Sequence, residues 1–236
     1  MAEQFGFRTV QSNKIGKQIS YQLLQKITSG EFPPGTRLPA ERNLAEIFSA
    51  SRVAVREALG SLVTQGILTV KQGSGTTVNP LEEWNTLDPQ VIRMLEGDRI
   101  FIQLSEFRKI IEPSLAEQAA ARITDKQILY LKDLSELPAS DTSDQHAVRD
   151  NNFHLEIARI TGNTVSLIVM SSIADLLHDS RKKALMVEGE IDKAREWHHR
   201  IYEAIAARDP AAARQAMEGH LQQVTSALNQ YIEESE

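Results

Sequence analysis

Along the first third of the chain, apolar residues recur at helical spacing in short runs separated by turn chemistry. Ile15, Ile19, Leu23, Leu24 and Ile27 follow an i, i+3/i+4 rhythm that predicts an amphipathic helix, with Asn13 as its cap and Gly30 as its stop. "FPPGTRLP" reads as a rigid turn, and a shorter helix from about Ala40 to Phe48 then carries Leu44, Ala45 and Phe48 toward a core. Ser51 can cap a third helix running to about Gln65, whose inner stripe is Val55, Leu59, Leu62 and Val63. Past Gly66 the period changes: "ILTV", the turn "KQGSG" and "TTV" predict a two-stranded hairpin. Three helices followed by a hairpin make a winged helix-turn-helix.

From residue 91 onward the pattern is helical throughout, with segments at 91–95, 100–122, 125–137, 147–160, 165–185, 191–207 and 210–232. Asp209 serves as cap and Pro210 as first-turn residue of the last one. The polar stretch "PASDTSDQHA" (138–147) reads as a loop between helices. The expected fold is therefore mainly α: an N-terminal winged helix-turn-helix over residues 1–78 and a C-terminal all-α antiparallel helical bundle over 91–236. Between them, "NPLEEWNTLDPQ" (79–90) breaks the periodicity and reads as a linker with Trp84 as an aromatic anchor.

A length of 236 residues, 41% of them hydrophobic and 25% charged, suits two ordinary globular domains. With no cysteine, thiolate catalysis, disulfides, iron–sulfur clusters and Cys-based zinc sites are excluded. The longest uncharged stretch, 160–174, is too short and polar to span a bilayer, and the start "MAEQFGFRTVQSNK" lacks the features of a signal peptide, so a cytoplasmic protein without membrane partners is expected. The net charge of −6 argues at first sight against nucleic acid. Resolved by region, residues 1–80 hold nine Lys and Arg against five Asp and Glu, or +4, and the remaining 17 against 27 leave −10. The basic part is the winged helix, and all six histidines lie in the acidic part.

In a winged helix the start of the third helix enters the major groove, where arginine can form paired hydrogen bonds to guanine. Arg52 is placed for base contact, Ser51 and Arg42 for phosphate, and Arg56, one turn after Arg52, for either. The competing reading is a plain solvated helix face; the Gly-containing wing and the local positive charge favour DNA.

The run from Phe32 to Val78 closely resembles the DNA-binding domain of the GntR transcription regulators through "G-x-x-L-P-x-E-R-x-L-A", "S-R-x-x-V-R-E-A-L" and "G-(I/L)-L-x-x-x-x-G-x-G-(T/S)". The resemblance implies DNA contacts from Arg42, Ser51, Arg52, Val53, Arg56 and Gly73, with Arg37 on the same surface.

In the bundle, the informative positions are polar residues on apolar stripes. Asp150 and His154 share a side of their helix with Phe153 and Ile157. His198 leads the stripe of Ile201, Tyr202 and Ile205, whereas His199 aligns with Glu203 and faces out; His220 sits between Met217 and Val224. His146 and His178 read as surface residues. One carboxylate and three imidazoles turned into one core suit a divalent transition metal: zinc first, with nickel, manganese or iron compatible. Each histidine alone would read as an ordinary core or surface residue, but burying four such groups unpaired would be costly.

"D-N-N-F-H…T-G-N" (150–163) and "H-x-x-I-x-x-A-I-x-x-x-D-P-x-A-A-R-x-A-M-x-x-H-L" (198–221) resemble the FCD effector domain of the FadR subgroup of GntR regulators. This resemblance implies Asp150, His154, His198 and His220 as metal ligands, and sets the chain apart from fatty-acyl-CoA-responsive members, which lack that constellation. It further implies Arg108, in "LSEFRKIIEPSLAEQAAARIT", as partner of an anionic effector; the alternative for Arg108 is a surface ion pair with Glu112. A guanidinium can grip a carboxylate through two hydrogen bonds, and a metal can take a neighbouring hydroxyl, which points to a hydroxy acid or sugar acid. The linker "EWNTLDPQVI" is similar to that of sugar-acid-responsive members.

The expected protein is thus a homodimeric regulator, by resemblance a repressor, that reads a pseudopalindromic operator in double-stranded DNA and answers to a small carboxylate. The competing class is a metal-dependent enzyme fused to a DNA-binding module, which the lack of a nucleophile–base pair or phosphate-cradling loop disfavours. A purely structural metal is the third possibility.

Overall fold

Ser51 ends the turn before the third helix by accepting a hydrogen bond from Ala54 N at 3.2 Å, which satisfies one of the free amides at that helix start. The computed structural model describes residues 14–71, 73, 75–96, 99–136, 138 and 140–235, so the Asn13 cap lies outside the described residues. The chain divides into two units at Leu87/Asp88. The first contains α1 (Lys14–Thr28), α2 (Glu41–Ile47), α3 (Arg52–Thr64) and the antiparallel strands β1 (Leu68–Lys71) and β2 (Gly75–Val78), with Leu68 opposite Val78 and Lys71 opposite Gly75. α1 packs on α3, and Leu23, Leu44, Val55, Leu59 and Leu62 are among the buried core residues. Ile15 departs from its predicted core position and is exposed. The buried stripe of α1 begins instead at Gly16 and runs through Ile19, Leu23 and Ile27.

Gly66 closes the turn after α3 at φ +72°, in the left-handed region, and any side chain there would collide with backbone, a Cβ falling 2.4 Å from Glu83 O. The close approach is held by Asn85 N donating to Gln65 O at 2.8 Å and by Asn79 Nδ2 donating to Gly66 O at 2.7 Å. Trp84 Nε1 donates to Asn79 O, so the aromatic anchor ties back to its own segment.

The second unit is helical among the described residues: α4 (Pro89–Glu96), α5 (Arg99–Arg122), α6 (Asp125–Ser135), α7 (Ser143–Ile160), α8 (Thr164–Ser172), α9 (Ala174–Ala184), α10 (Glu190–Ala206) and α11 (Pro210–Ser235). α5 lies along α11 and α7, α9 packs on α7 and α11, and α10 packs on α11. The core joins Phe101, Leu115, Phe153, Ile157, Leu177, Ile201, Met217 and Leu221. Asp209 Oδ1 accepts from Ala212 N at 3.0 Å, capping α11 as its position before Pro210 predicts.

Two expectations are corrected here. The stretch 138–147 is not loop throughout: α7 starts at Ser143, because Thr142 and Gln145 form a reciprocal capping box. The single helix expected over 165–185 is two, broken at Ile173 (φ −102°, ψ 6°). Just before the break Ser172 Oγ donates to Ile168 O at 2.8 Å, a side-chain bond that competes for a helical carbonyl.

Candidate metal centre and nucleic-acid interface

Helical spacing decides which polar residues α7, α10 and α11 turn inward, and the bundle brings them together. Asp150, His154, His198 and His220 are all buried, and each offers a ligand atom within 4.8 Å of the other three. Two ligands on opposite sides of one ion at ~2.1 Å bonds stand ~4.2 Å apart, so small side-chain shifts suffice to close such a shell. His198 Nε2 lies 3.1 Å from Asp150 Oδ1, and His154 Nε2 lies 3.8 Å from Asp150 Oδ2. Phe153 stacks on the His198 ring at 4.4 Å and His220 stacks on His154 at 5.2 Å, which restrains the imidazole planes.

The donor set fits a divalent transition metal on two observations. Both ring nitrogens of His220, and Nδ1 of His198, are buried without a hydrogen-bond partner, a costly arrangement that a bound cation relieves. Burial also lowers His154 to about pH 4, against the pull of Glu112, and drives His220 well below its ordinary value. Both imidazoles are therefore neutral near pH 7, the form whose lone pair ligates metal.

Glu112 and Arg108 sit one turn apart on α5. Arg108 Nε donates to Glu112 Oε1 at 2.5 Å, and Glu112 Oε2 lies 2.6 Å from His154 Nδ1. Burial alone would raise Glu112, but the Arg108 guanidinium and His154 outweigh it and hold the carboxyl well below the usual range. A carboxylate on Nδ1 puts the lone pair of His154 on Nε2, which faces Asp150 and accepts from the Arg108 guanidinium. Arg108 Nη2 comes within 3.2 Å of that Nε2. The ion pair with Glu112 thus exists, but at 1% exposure Arg108 is not the surface residue of the alternative reading.

The sequence reading missed Glu112 as a partner of His154, and missed Arg181 altogether. Arg181 is buried on α9, its Nε paired with Asp150 Oδ2 and its Nη1 donating to Asn151 Oδ1 at 2.8 Å. A signal existed: Arg181 follows Ile173 and Leu177 at helical spacing on an apolar stripe. His146, expected at the surface, is buried, with Nε2 2.7 Å from Pro138 O, because the helix starts one turn earlier than the polar composition suggests. His178 is half-buried and 3.4 Å from Asp144.

On the first unit the candidate DNA contacts stand in solvent. Arg42 has 77% side-chain exposure with Glu46 3.9 Å away, Arg52 is exposed, and Val53 is 64% exposed on α3. Gly73 occupies the hairpin turn at φ +78° with open space around its Cα. Ser51 uses its oxygen as the α3 cap and keeps its hydroxyl proton for another acceptor. Arg56 is held by Glu41, Nη2 to Oε2 at 2.7 Å, and that carboxyl is lowered chiefly by its bond to Arg56. Arg37 bridges to Thr77 and lays its guanidinium against Gly75, at the base of the hairpin.

Residues 15–78 match the bacterial regulatory proteins of the gntR family, and residues 103–223 match the FCD domain. The chain is 32% identical over 216 residues to the transcriptional regulator LutR of Bacillus subtilis (strain 168), covering 89% of this chain and 99% of LutR. It is 29% identical over 206 residues to the galactonate operon transcriptional repressor of Escherichia coli (strain K12), covering 84% of this chain and 90% of that protein. Over 231 residues it is 30% identical to the transcriptional repressor NanR of Klebsiella aerogenes, covering 93% and 87%. The structure of Lar, which controls expression of the Listeria monocytogenes agr system, shares the fold with a TM-score of 0.59 at 21% identity, covering 94% of this chain and 99% of Lar. GntR-type regulators bind operator DNA, and the matched domains and relatives are transcription regulators rather than enzymes, which removes the enzymatic alternative. No helix among the described residues is long and apolar enough to cross a membrane. With a winged-helix unit and a helical unit that match these two domains in this order, the chain belongs to the GntR family of transcription regulators, in its FadR-type branch with an FCD domain.

Proposed function

We propose that this regulator is a cytoplasmic, homodimeric repressor whose hold on a pseudopalindromic operator is controlled by a small carboxylate, a hydroxy acid or sugar acid, bound at a metal in the helical domain. The observation that carries the reading is Arg108 Nη2 within 3.2 Å of His154 Nε2, in a buried cluster of three histidines and one aspartate. A relative named for the galactonate operon supports a sugar acid as the ligand class.

Asp150, His154, His198 and His220 would hold the metal, and a divalent ion there supplies Lewis-acidic positions for a carboxylate and its neighbouring hydroxyl. Arg108 grips the carboxylate through its guanidinium fork. Glu112 keeps Arg108 and His154 oriented, so the anion meets a prearranged donor. On the winged helix, Arg52 reads base edges, while Arg42, Ser51, Arg56 and Gly73 hold backbone and Val53 makes apolar contact. The effector acts by binding the DNA-competent and DNA-incompetent states with different affinity.

A thermal-shift screen of small carboxylic acids with the full chain, with and without zinc or nickel, tests the reading, because a ligand that favours the folded state raises its melting temperature. A metal-dependent shift by a hydroxy or sugar acid, paired with release of operator DNA in a mobility-shift assay, is expected. A ligand response that survives alanine at His198 and His220 together would assign the metal a purely structural role.

A further inference from the structure

The charges around the three histidines come from Arg108 and Glu112 on α5, Asp150 on α7 and Arg181 on α9, none more than 5% exposed. Two guanidiniums and two carboxylates cancel. The histidines add nothing when they ligate, because ligation uses the neutral imidazole. A divalent ion therefore leaves this buried site at +2, where little water screens the excess. A monocarboxylate removes one charge and a dicarboxylate removes both.

A second observation points the same way. Arg181 spends Nε on Asp150 and Nη1 on Asn151, while its buried Nη2 has no hydrogen-bond partner. Leaving a charged donor buried and unbonded is costly, and the group that satisfies it best is an anion. Arg108 approaches the ligand set through His154, from α5; Arg181 approaches it through Asp150, from α9. The two guanidiniums thus address the site through different ligands.

We infer that Arg181 is a second anion-binding residue of this site and that the effector is a hydroxy-dicarboxylic acid, one carboxylate held by Arg108 and the other by Arg181. The inference rests on the metal-and-carboxylate reading above and narrows it to diacids. Arg181 then sets specificity: its pairing with Asp150 positions it, and its free Nη2 selects ligands with a second carboxylate.

The test is calorimetry on the zinc-loaded full chain with matched acids: glucarate against gluconate, and malate against 3-hydroxybutyrate. In at least one pair the diacid should bind about tenfold or more tightly than its monoacid. Arg181→Gln should lower that diacid's affinity by about tenfold or more and the monoacid's by less than about threefold. Arg181→Lys, which keeps the charge without the fork, should fall between, and serves in place of Arg181→Gln if the latter does not fold. Equal affinities within both pairs, or a loss that is the same for diacid and monoacid, overturn the inference and leave the metal-and-carboxylate reading standing. No zinc binding, or no response to any of the four acids, overturns both.

Discussion

Arg42, Arg52 and Val53 stand in solvent on the winged-helix unit, whereas Arg108, Asp150, Arg181 and three histidines of the helical unit are sealed from it. Under the proposed function, the contrast follows from what each unit would meet. A DNA duplex brings its own dense charge to a protein surface, so the reading groups can wait in water at no desolvation cost. A small anion in the helical unit would meet groups already stripped of water, where each hydrogen bond is stronger and each unpaired charge costly. Hence each buried charge of the second unit has an opposite partner, Arg108 with Glu112 and Arg181 with Asp150, while the first unit leaves Arg52 open.

The largest expected effect tests this partnering. Asp150→Ala strands Arg181 in the core and should lower the unfolding free energy of the metal-free protein by ~3–5 kcal/mol in a denaturant titration. Arg52→Ala should leave stability within about 0.5 kcal/mol. A small loss for Asp150→Ala would break the contrast between the units.

Protonation probes the same burial. His154 falls from an ordinary value of 6.5 to about 4 on folding, chiefly through burial, and His220 shifts in the same direction. Below pH 6.5 the unfolded chain takes up protons that the folded one refuses. Stability is therefore full above that pH and is lost as pH falls toward 4, by roughly 3 kcal/mol for His154 alone. Circular-dichroism melts from pH 7 to 4.5 should show this decline, and His154→Gln should flatten it. Glu112 and Asp150, both lowered on folding, lose their contribution only at more acid pH.

On the open side, Arg52→Ala should weaken operator binding about 10- to 100-fold in a mobility-shift assay with no change in melting temperature. An unchanged affinity would remove Arg52 from the reading surface. The smallest effect separates the two uses of one serine: Ser51→Ala should cost ~1 kcal/mol of stability through the lost α3 cap, and Ser51→Gly only a few tenths. If Ser51→Gly still weakens operator binding several-fold, the hydroxyl touches phosphate as well as capping the helix.

The exposed face proposed to read DNA was legible in the sequence because it is local. Ser51, Arg52 and Arg56 lie within six residues of one another, and the cap that starts α3 fixes where the arginines point. The Glu41 partner of Arg56 was not legible, since it joins two helices across a turn. In the helical unit, the inward direction of Asp150, His154, His198 and His220 could be read from three separate apolar stripes, each a local pattern. Arg181 escaped notice inside the basic run "RKK", whose composition suggests a solvated helix end.

What the sequence determined by itself is therefore the set of elements and the face each residue takes. A helix of 3.6 residues per turn ties facing to spacing, whatever the helix later packs against. Only the tertiary structure decided the pairings: Glu112 with His154, Arg181 with Asp150, and four donors from three helices gathered within 4.8 Å. These contacts join residues tens of positions apart, and local periodicity holds no information about which stripe will meet which. Packing and the cost of an unpaired buried charge make that choice.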